Sequence, residues 1–305
     1  MPLIQTPELT IHYAEAGAGP EVLVLLHGNF ASCRWWQPCM ARLPDGVRAL
    51  AVDLRGCGDS DKPAAGYTIE QLGADLAAFI AALELPAVHV AGHSLGGAVA
   101  LQFALDHPDR VKTLTLVASA PAEGLALHGD APAAAGAGEG SSPLSAWLPT
   151  LTMNQPFLLQ VLTQALSGPP GPGVDLHLLT EDTLRISPLA ATGFTHALGR
   201  WSVQARLGEV TVPVLIVGGA HDPLVHPEAL ARTAASLPQA RLEIWPDAGH
   251  NPHLEKPEAF RALLHEFLCA TAPPDSAPSA PDATTSLWDW FGRWLGHPAS
   301  DKDKK

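Results

Sequence analysis

The sequence predicts an α/β fold, a mostly parallel central sheet flanked by helices on both faces. Short runs rich in Val, Leu and Ile recur as "EVLVLLHG", "VRALAVDLRG", "AVHVAGHS", "VKTLTLVAS", "VPVLIVGGAHD" and "ARLEIWPDAGH". Each is apolar at nearly every position, the pattern of strands covered on both sides. Helical patterns alternate with them, which argues a doubly wound sheet. A chain of 305 residues with 47% hydrophobic content is ample for such a core.

The helices carry their own signals. In "TIEQLGADLAAFIAALEL", Ile69, Leu72, Leu76, Phe79, Ile80 and Leu83 fall on one face, while Thr68 and Gln71 have the spacing of a capping box. Pro227 and Pro257 stand where a first helical turn tolerates proline, ahead of "EALARTAASL" and "EAFRALLHEFL". Residues 1–120 and 206–270 carry this alternation. Between them, residues 121–205 are Ala/Gly/Pro-rich and helix-like in pieces ("PLSAWLPTL", "PFLLQVLTQAL", "VDLHLLTEDTL"), and are expected to form a cap insertion over the active end of the sheet. A Pro/Ala/Ser linker follows at 271–285, leading to an amphipathic aromatic helix over 286–296. Leu287, Trp290, Phe291, Trp294 and Leu295 form its apolar stripe, expected to dock on its own domain or on a second copy.

Charge narrows the partners. A formal net charge of −13, with no Lys or Arg between Thr113 and Leu184, opposes nucleic-acid binding. Cys33, Cys39, Cys57 and Cys269 lack CxxC spacing and read as reduced thiols of a cytoplasmic protein. No apolar run reaches the roughly 18 residues a membrane span requires. No GxGxxG or GxxxxGK[ST] opens a helix, so no nucleotide cofactor is expected. The one close histidine pair near a carboxylate, in "HNPHLE", is broken by Pro252, and no metal is expected either.

The chemistry centres on "VHVAGHSLGGAVALQFA". A serine held between glycines at a sharp strand-to-helix turn is the nucleophile elbow, G-x-S-x-G. Ser94 is pushed up from the sheet, and the helix beginning at Leu95 turns free N–H groups toward its hydroxyl. Such a serine needs a base, and the base an orienting carboxylate. Asp222 follows the run "VPVLIVGG", and His250 follows "ARLEIWPDAG". Competing acids are Asp247 and Glu123; competing histidines are His253 and His221.

These stretches, with "LLHGNFAS", "AVDLRGCGDSDKP", "GGAHDPLV" and "DAGHNPHLEKPE", resemble the α/β-hydrolase superfamily over residues 3 to 270. The resemblance implies the α/β-hydrolase fold and a Ser94, Asp222, His250 triad. It also implies an oxyanion hole from the backbone N–H groups of Leu95 and Asn29, with Phe30 as the alternative to Asn29. Asp53, Arg55 and Asp59 in "DLRGCGDS" are implied to be a hydrogen-bonded scaffold, and His93 and His27 are read as structural. The activity expected is cofactor-independent hydrolysis of small, largely apolar carboxylic esters through an acyl-enzyme. Alternatives with the same triad are enol-lactone hydrolysis, carbon–carbon bond hydrolysis and cofactor-free haloperoxidase or perhydrolase chemistry. An alternative of another class is a non-catalytic ligand-binding protein of this fold. Phe30, Trp35, Trp36, Trp147, Phe157, Phe194 and Trp201 are the candidate pocket aromatics.

Overall fold

The structure, a computed structural model, describes residues 2–125 and 169–271. The chain divides into two compact units after Cys269, and the first carries every element below. Eight strands form one sheet: β1 (Leu3–Gln5), β2 (Thr10–Gly17), β3 (Glu21–Leu26), β4 (Val47–Val52), β5 (Val88–His93), β6 (Val111–Val117), β7 (Val214–Gly219) and β8 (Ala240–Trp245). Their order is β1-β2-β4-β3-β5-β6-β7-β8. From β4 to β8 every pairing is parallel, while β1 and β2 add an antiparallel edge.

The apolar runs become strands because both sheet faces are covered. β5 and β7 are buried at every position. On one face α2 (Ile69–Ala82), α3 (Leu95–Asp106) and α6 (Pro227–Ser236) contribute Leu72, Leu76, Phe79, Leu101, Phe103 and Leu230 to the larger core. On the other, α1 (Gln37–Met40) and α8 (Pro257–Ala270), which follows the short α7 (Pro252–Glu255), bring Cys39, Met40, Phe260, Leu264 and Phe267 against Leu23, Leu25, Leu215 and Val217. Thr68 caps α2 by accepting the Gln71 N–H at 3.2 Å, and Pro227 and Pro257 open their helices as the spacing predicts.

Between β6 and β7 stand two helices, α4 (Leu176–Thr183) and α5 (Pro188–Arg200), whose N-termini are capped by Asp175 and Ser187 respectively. They dock on loops at the carboxyl ends of the strands. Ser32 Oγ donates to Asp182 Oδ2 at 2.8 Å, Thr183 Oγ1 donates to the Phe30 carbonyl at 2.6 Å, and the Ser187 N–H reaches the Gly56 carbonyl at 2.8 Å. The segments "PLSAWLPTL" and "PFLLQVLTQAL", with Trp147 and Phe157, lie outside the described residues, as do the linker beyond Thr271 and the 286–296 helix. Among the described residues, no helix is long and apolar enough to cross a membrane.

Candidate active site

Ser94, Asp222, His250 and the His27–Ala31 loop all follow the carboxyl ends of parallel strands, where α/β sheets gather their ligands. Ser94 sits between β5 and α3 at φ 51° and ψ −112°. A non-glycine residue there carries strain of order 1–3 kcal/mol. Hydrogen bonds hold it in place: the Ser94 N–H donates to the Val117 carbonyl at 2.9 Å, and the Ser94 carbonyl accepts from Gly97 at 3.0 Å and Ala120 at 3.1 Å. The flanking glycines permit the turn. A Cβ on Gly92 would lie 2.1 Å from the Gly96 carbonyl oxygen, and one on Gly96 would lie 2.4 Å from that of Leu26.

His250 Nδ1 lies 2.8 Å from Asp222 Oδ2. The other oxygen of Asp222 accepts the N–H groups of Leu224 at 2.8 Å and Val225 at 2.9 Å. That pins the carboxylate, which is 3% exposed. A carboxylate only accepts, so Nδ1 carries the proton and Nε2 presents a lone pair. Among the described residues no hydrogen bond joins Ser94 Oγ to His250. The ring of His93, one position before Ser94, stands 4.9 Å from that of His250. Serine–histidine bonds of this kind are often looser before substrate binds.

The competing groups are placed elsewhere. Glu123 is paired with Arg232 and Asp247 with Lys256, both at the surface. His221 is exposed. His253 is fully buried behind the site between the rings of Trp36 (4.7 Å) and Phe260 (6.1 Å), and burial pushes its imidazole down to about 3.

In the loop after β3, the Phe30 N–H is already bonded to Asn29 Oδ1 at 2.9 Å, and Phe30 adopts φ 60°. Leu95 is the first residue of α3, so its N–H has no helical partner. Trp35 is buried with Ala31, Leu179 and Leu254 and stacks on His93. Three of the candidate pocket aromatics are core residues instead. Trp36 packs in the α8 layer, Phe194 meets the edge of Tyr67 at 5.5 Å, and Trp201 donates its Nε1–H to Gln102 of α3 at 2.9 Å. Aromatic content alone does not tell which side chains of a helix pack into the core.

The "DLRGCGDS" loop is a junction of hydrogen bonds. Asp53 accepts from the Cys33 N–H at 2.7 Å and the Asp59 N–H at 2.9 Å, and it meets His12 Nδ1 at 2.6 Å. Arg55 grips Asp75 with two bonds of 2.7 Å. His27 accepts the Leu54 N–H at Nε2 (3.0 Å) and donates from Nδ1 to the Gly28 carbonyl (2.8 Å), and burial lowers its affinity for a second proton. His12, Cys33 and Asp53 bring potential metal-ligating atoms within 4.8 Å of one another. The donor chemistry opposes that use, because burial and the neighbouring Asp53 raise the Cys33 thiol and both Asp53 oxygens are already hydrogen-bonded.

Two side chains hold the base loop: Glu255, to which the sequence assigned no role, and His93, which it read as structural. Glu255 accepts the Gly249 N–H at 2.9–3.0 Å and the Asn251 N–H at 3.0 Å, on either side of His250. His93 donates to the His250 carbonyl at 3.0 Å. The signal available for Glu255 was its place in "GHNPHLE", one helical turn beyond Asn251.

A fold and site of this kind define a hydrolase of the α/β class. A family model described as the alpha/beta hydrolase family matches residues 23–263, and the chain belongs to that family. It is 32% identical over 256 residues to the pimeloyl-[acyl-carrier protein] methyl ester esterase of Nitrosomonas europaea, covering 82% of this chain and 96% of that protein. It is 30% identical over 284 residues to a 2-hydroxy-6-oxononadienedioate/2-hydroxy-6-oxononatrienedioate hydrolase of Cupriavidus pinatubonensis, covering 86% and 91%. Among solved structures, an esterase from Exiguobacterium antarcticum superposes with a TM-score of 0.77 at 25% identity, covering 88% of this chain and 98% of that one.

Proposed function

We propose that this hydrolase cleaves carboxylic esters of small, largely apolar substrates through an acyl-enzyme, with Ser94 as nucleophile, His250 as base and Asp222 as its orienting carboxylate. The observation that carries the reading is the 2.8 Å Asp222–His250 bond, which engages Nδ1 and so assigns the acceptor role to Nε2. Ser94 Oγ attacks the ester carbonyl carbon as its proton passes to His250 Nε2, and the carbonyl electrons move onto oxygen. Collapse of that oxyanion expels the alcohol, which takes the proton from His250. Water then repeats the sequence on the acyl-serine and releases the acid. The Leu95 and Asn29 N–H groups would hold the oxyanion, and the bond that occupies the Phe30 N–H favours Asn29 over Phe30. Each such donor is worth about 3–4 kcal/mol in the transition state.

The uncharged ester is favoured over the dicarboxylate named for the Cupriavidus relative, because a carboxylate substrate calls for a free cation near the cleft. Arg34 lies 3.2 Å from buried Asp182, Arg185 pairs with Asp59, and Arg206 pairs with Asp106 and Glu209. Arg200 borders a separate surface cavity of about 290 Å³ with Tyr67, Glu70 and Trp201. The test is initial rates on chromogenic esters of increasing acyl length, wild type beside Ser94→Ala. An optimum at one length, lowered on the order of 10⁵-fold in the variant, is expected. Folded protein inactive at every length would overturn the ester assignment.

A further inference from the structure

His93 is the last residue of β5, covalently joined to Ser94, and its ring is fixed from every side. Its Nε2 lies 3.0 Å from the His250 carbonyl oxygen. One neighbour is the His250 ring at 4.9 Å, another the His253 ring at 4.6 Å, and Trp35 stacks on it at 6.3 Å with 21° between the planes. Nδ1 points at Gly28, where a Cβ would come within 2.7 Å of it. The ring therefore fills space that only a glycine in the His27–Ala31 loop leaves open.

A carbonyl can only accept, so Nε2 carries the ring proton and Nδ1 is bare. Burial and the neighbouring histidines hold His93 well below the ordinary imidazole range, which keeps this tautomer neutral. The result is a rigid link of two residues from the nucleophile's strand to the backbone of the proposed base.

We propose that His93 is a positioning residue: by donating Nε2–H to the His250 carbonyl, it fixes the base relative to Ser94. Glu255 holds the amides on either side of His250, and His93 supplies the remaining backbone contact, the one that ties the base loop to the nucleophile's strand. The inference rests on the proposed roles of Ser94 and His250. It goes beyond them because serine hydrolysis as such demands no histidine at this position. A misplacement of about 1 Å can cost a hundredfold in rate, so loss of this bond is expected to act on kcat and leave binding alone.

The experiment compares His93→Leu, which removes the donor, with His93→Gln, whose amide nitrogen can reach the place of Nε2. In His93→Leu, kcat on the preferred chromogenic ester is expected to fall ten- to hundredfold with KM within about twofold, and labelling of Ser94 by an alkyl fluorophosphonate is expected to slow in parallel. His93→Gln should regain most of both. A His93→Leu enzyme with wild-type kcat, or a His93→Gln enzyme as slow as His93→Leu, would overturn the inference. Nitrogen-15 NMR of the histidine rings in the wild-type protein needs no variant to fold: a neutral Nε2–H tautomer for His93 is expected, and an Nδ1–H tautomer would refute it. Ser94→Ala separates the two levels. Turnover that survives Ser94→Ala sinks the functional reading itself, whereas a dead Ser94→Ala beside an unimpaired His93→Leu sinks only the positioning role.

Discussion

Acid should destabilise this protein through His253 in a way that one substitution can isolate. The ring is fully buried, and among the described residues neither nitrogen has a hydrogen-bond partner. Burial, with a smaller contribution from His250, pushes it down to about 3 from the ordinary imidazole value of 6.5. A base whose folded pKa is depressed stays neutral in the fold while the unfolded chain takes up the proton. This contribution to stability is therefore fully present well above pH 6.5, is lost as pH falls through and below it, and stops falling only near pH 3. The loss is RT ln(1 + 10^(6.5 − pH)), about 2 kcal/mol at pH 5 and about 0.2 kcal/mol at pH 7. Urea unfolding at both pH values, in wild type and in His253→Leu, measures it. The variant's own packing cost cancels in the difference between the two pH values. Wild type should lose about 2 kcal/mol more than His253→Leu between pH 7 and pH 5. An equal loss in both proteins would mean that the ring is solvated or paired in the fold, and the burial argument would fail.

Three other substitutions probe the site. Asp222→Asn keeps the shape but lets the amide donate, which favours the wrong His250 tautomer; kcat should fall on the order of 10³- to 10⁴-fold with the melting temperature little changed, read by steady-state kinetics and calorimetry. Glu255→Ala strips the acceptor from two buried N–H groups beside His250 and should cost at least about 2 kcal/mol in urea unfolding as well as turnover. Ser94→Gly abolishes the nucleophile as fully as Ser94→Ala, yet glycine accepts the φ of 51° without strain. It should be more stable than Ser94→Ala by about 1 kcal/mol, and a less stable glycine variant would count against strain at the elbow.

Much of this was legible because the physics is local. β5 and β7 read as strands from continuous apolar runs, since a parallel strand buried on both faces has no polar side to disguise it. β2 did not. "TIHYAEAG" is half exposed toward its carboxyl end, pairs antiparallel at the rim of the sheet and carries His12 and Glu15, so it lacks that signature. Gly92 and Gly96 marked Ser94 because the close approach they allow occurs within a few residues of sequence. The hold on His250 was not legible, because His93 lies 157 positions away and meets it only where the loop after β8 reaches back across β7 and β6 to the carboxyl end of β5.

The distribution of unpartnered buried polar atoms points the same way as the proposed chemistry. Among the described residues, His93 Nδ1, both His253 nitrogens, Asn251 Oδ1, the indole nitrogens of Trp35 and Trp36, and Asp182 Oδ1, which is ion-paired with Arg34, lack hydrogen-bond partners. His93, Asn251 and His253 lie at or beside the base loop; Trp35 stacks on His93, and Trp36 meets the His253 ring at a tilt. Elsewhere the interior polar groups are paired with care, as at Asp53, Arg55 and His27. A chain selected for stability alone would fill the space behind His250 with apolar side chains, which pack as well and leave nothing unsatisfied. Retaining a buried histidine cluster there makes sense if the cluster serves the geometry of the base, with the stability cost borne by the large cores on both sheet faces. Replacing His253 by an apolar residue should then relieve the acid sensitivity while leaving the His93 link to His250 in place, so the pH dependence of stability and the turnover at pH 7 should separate in that one variant.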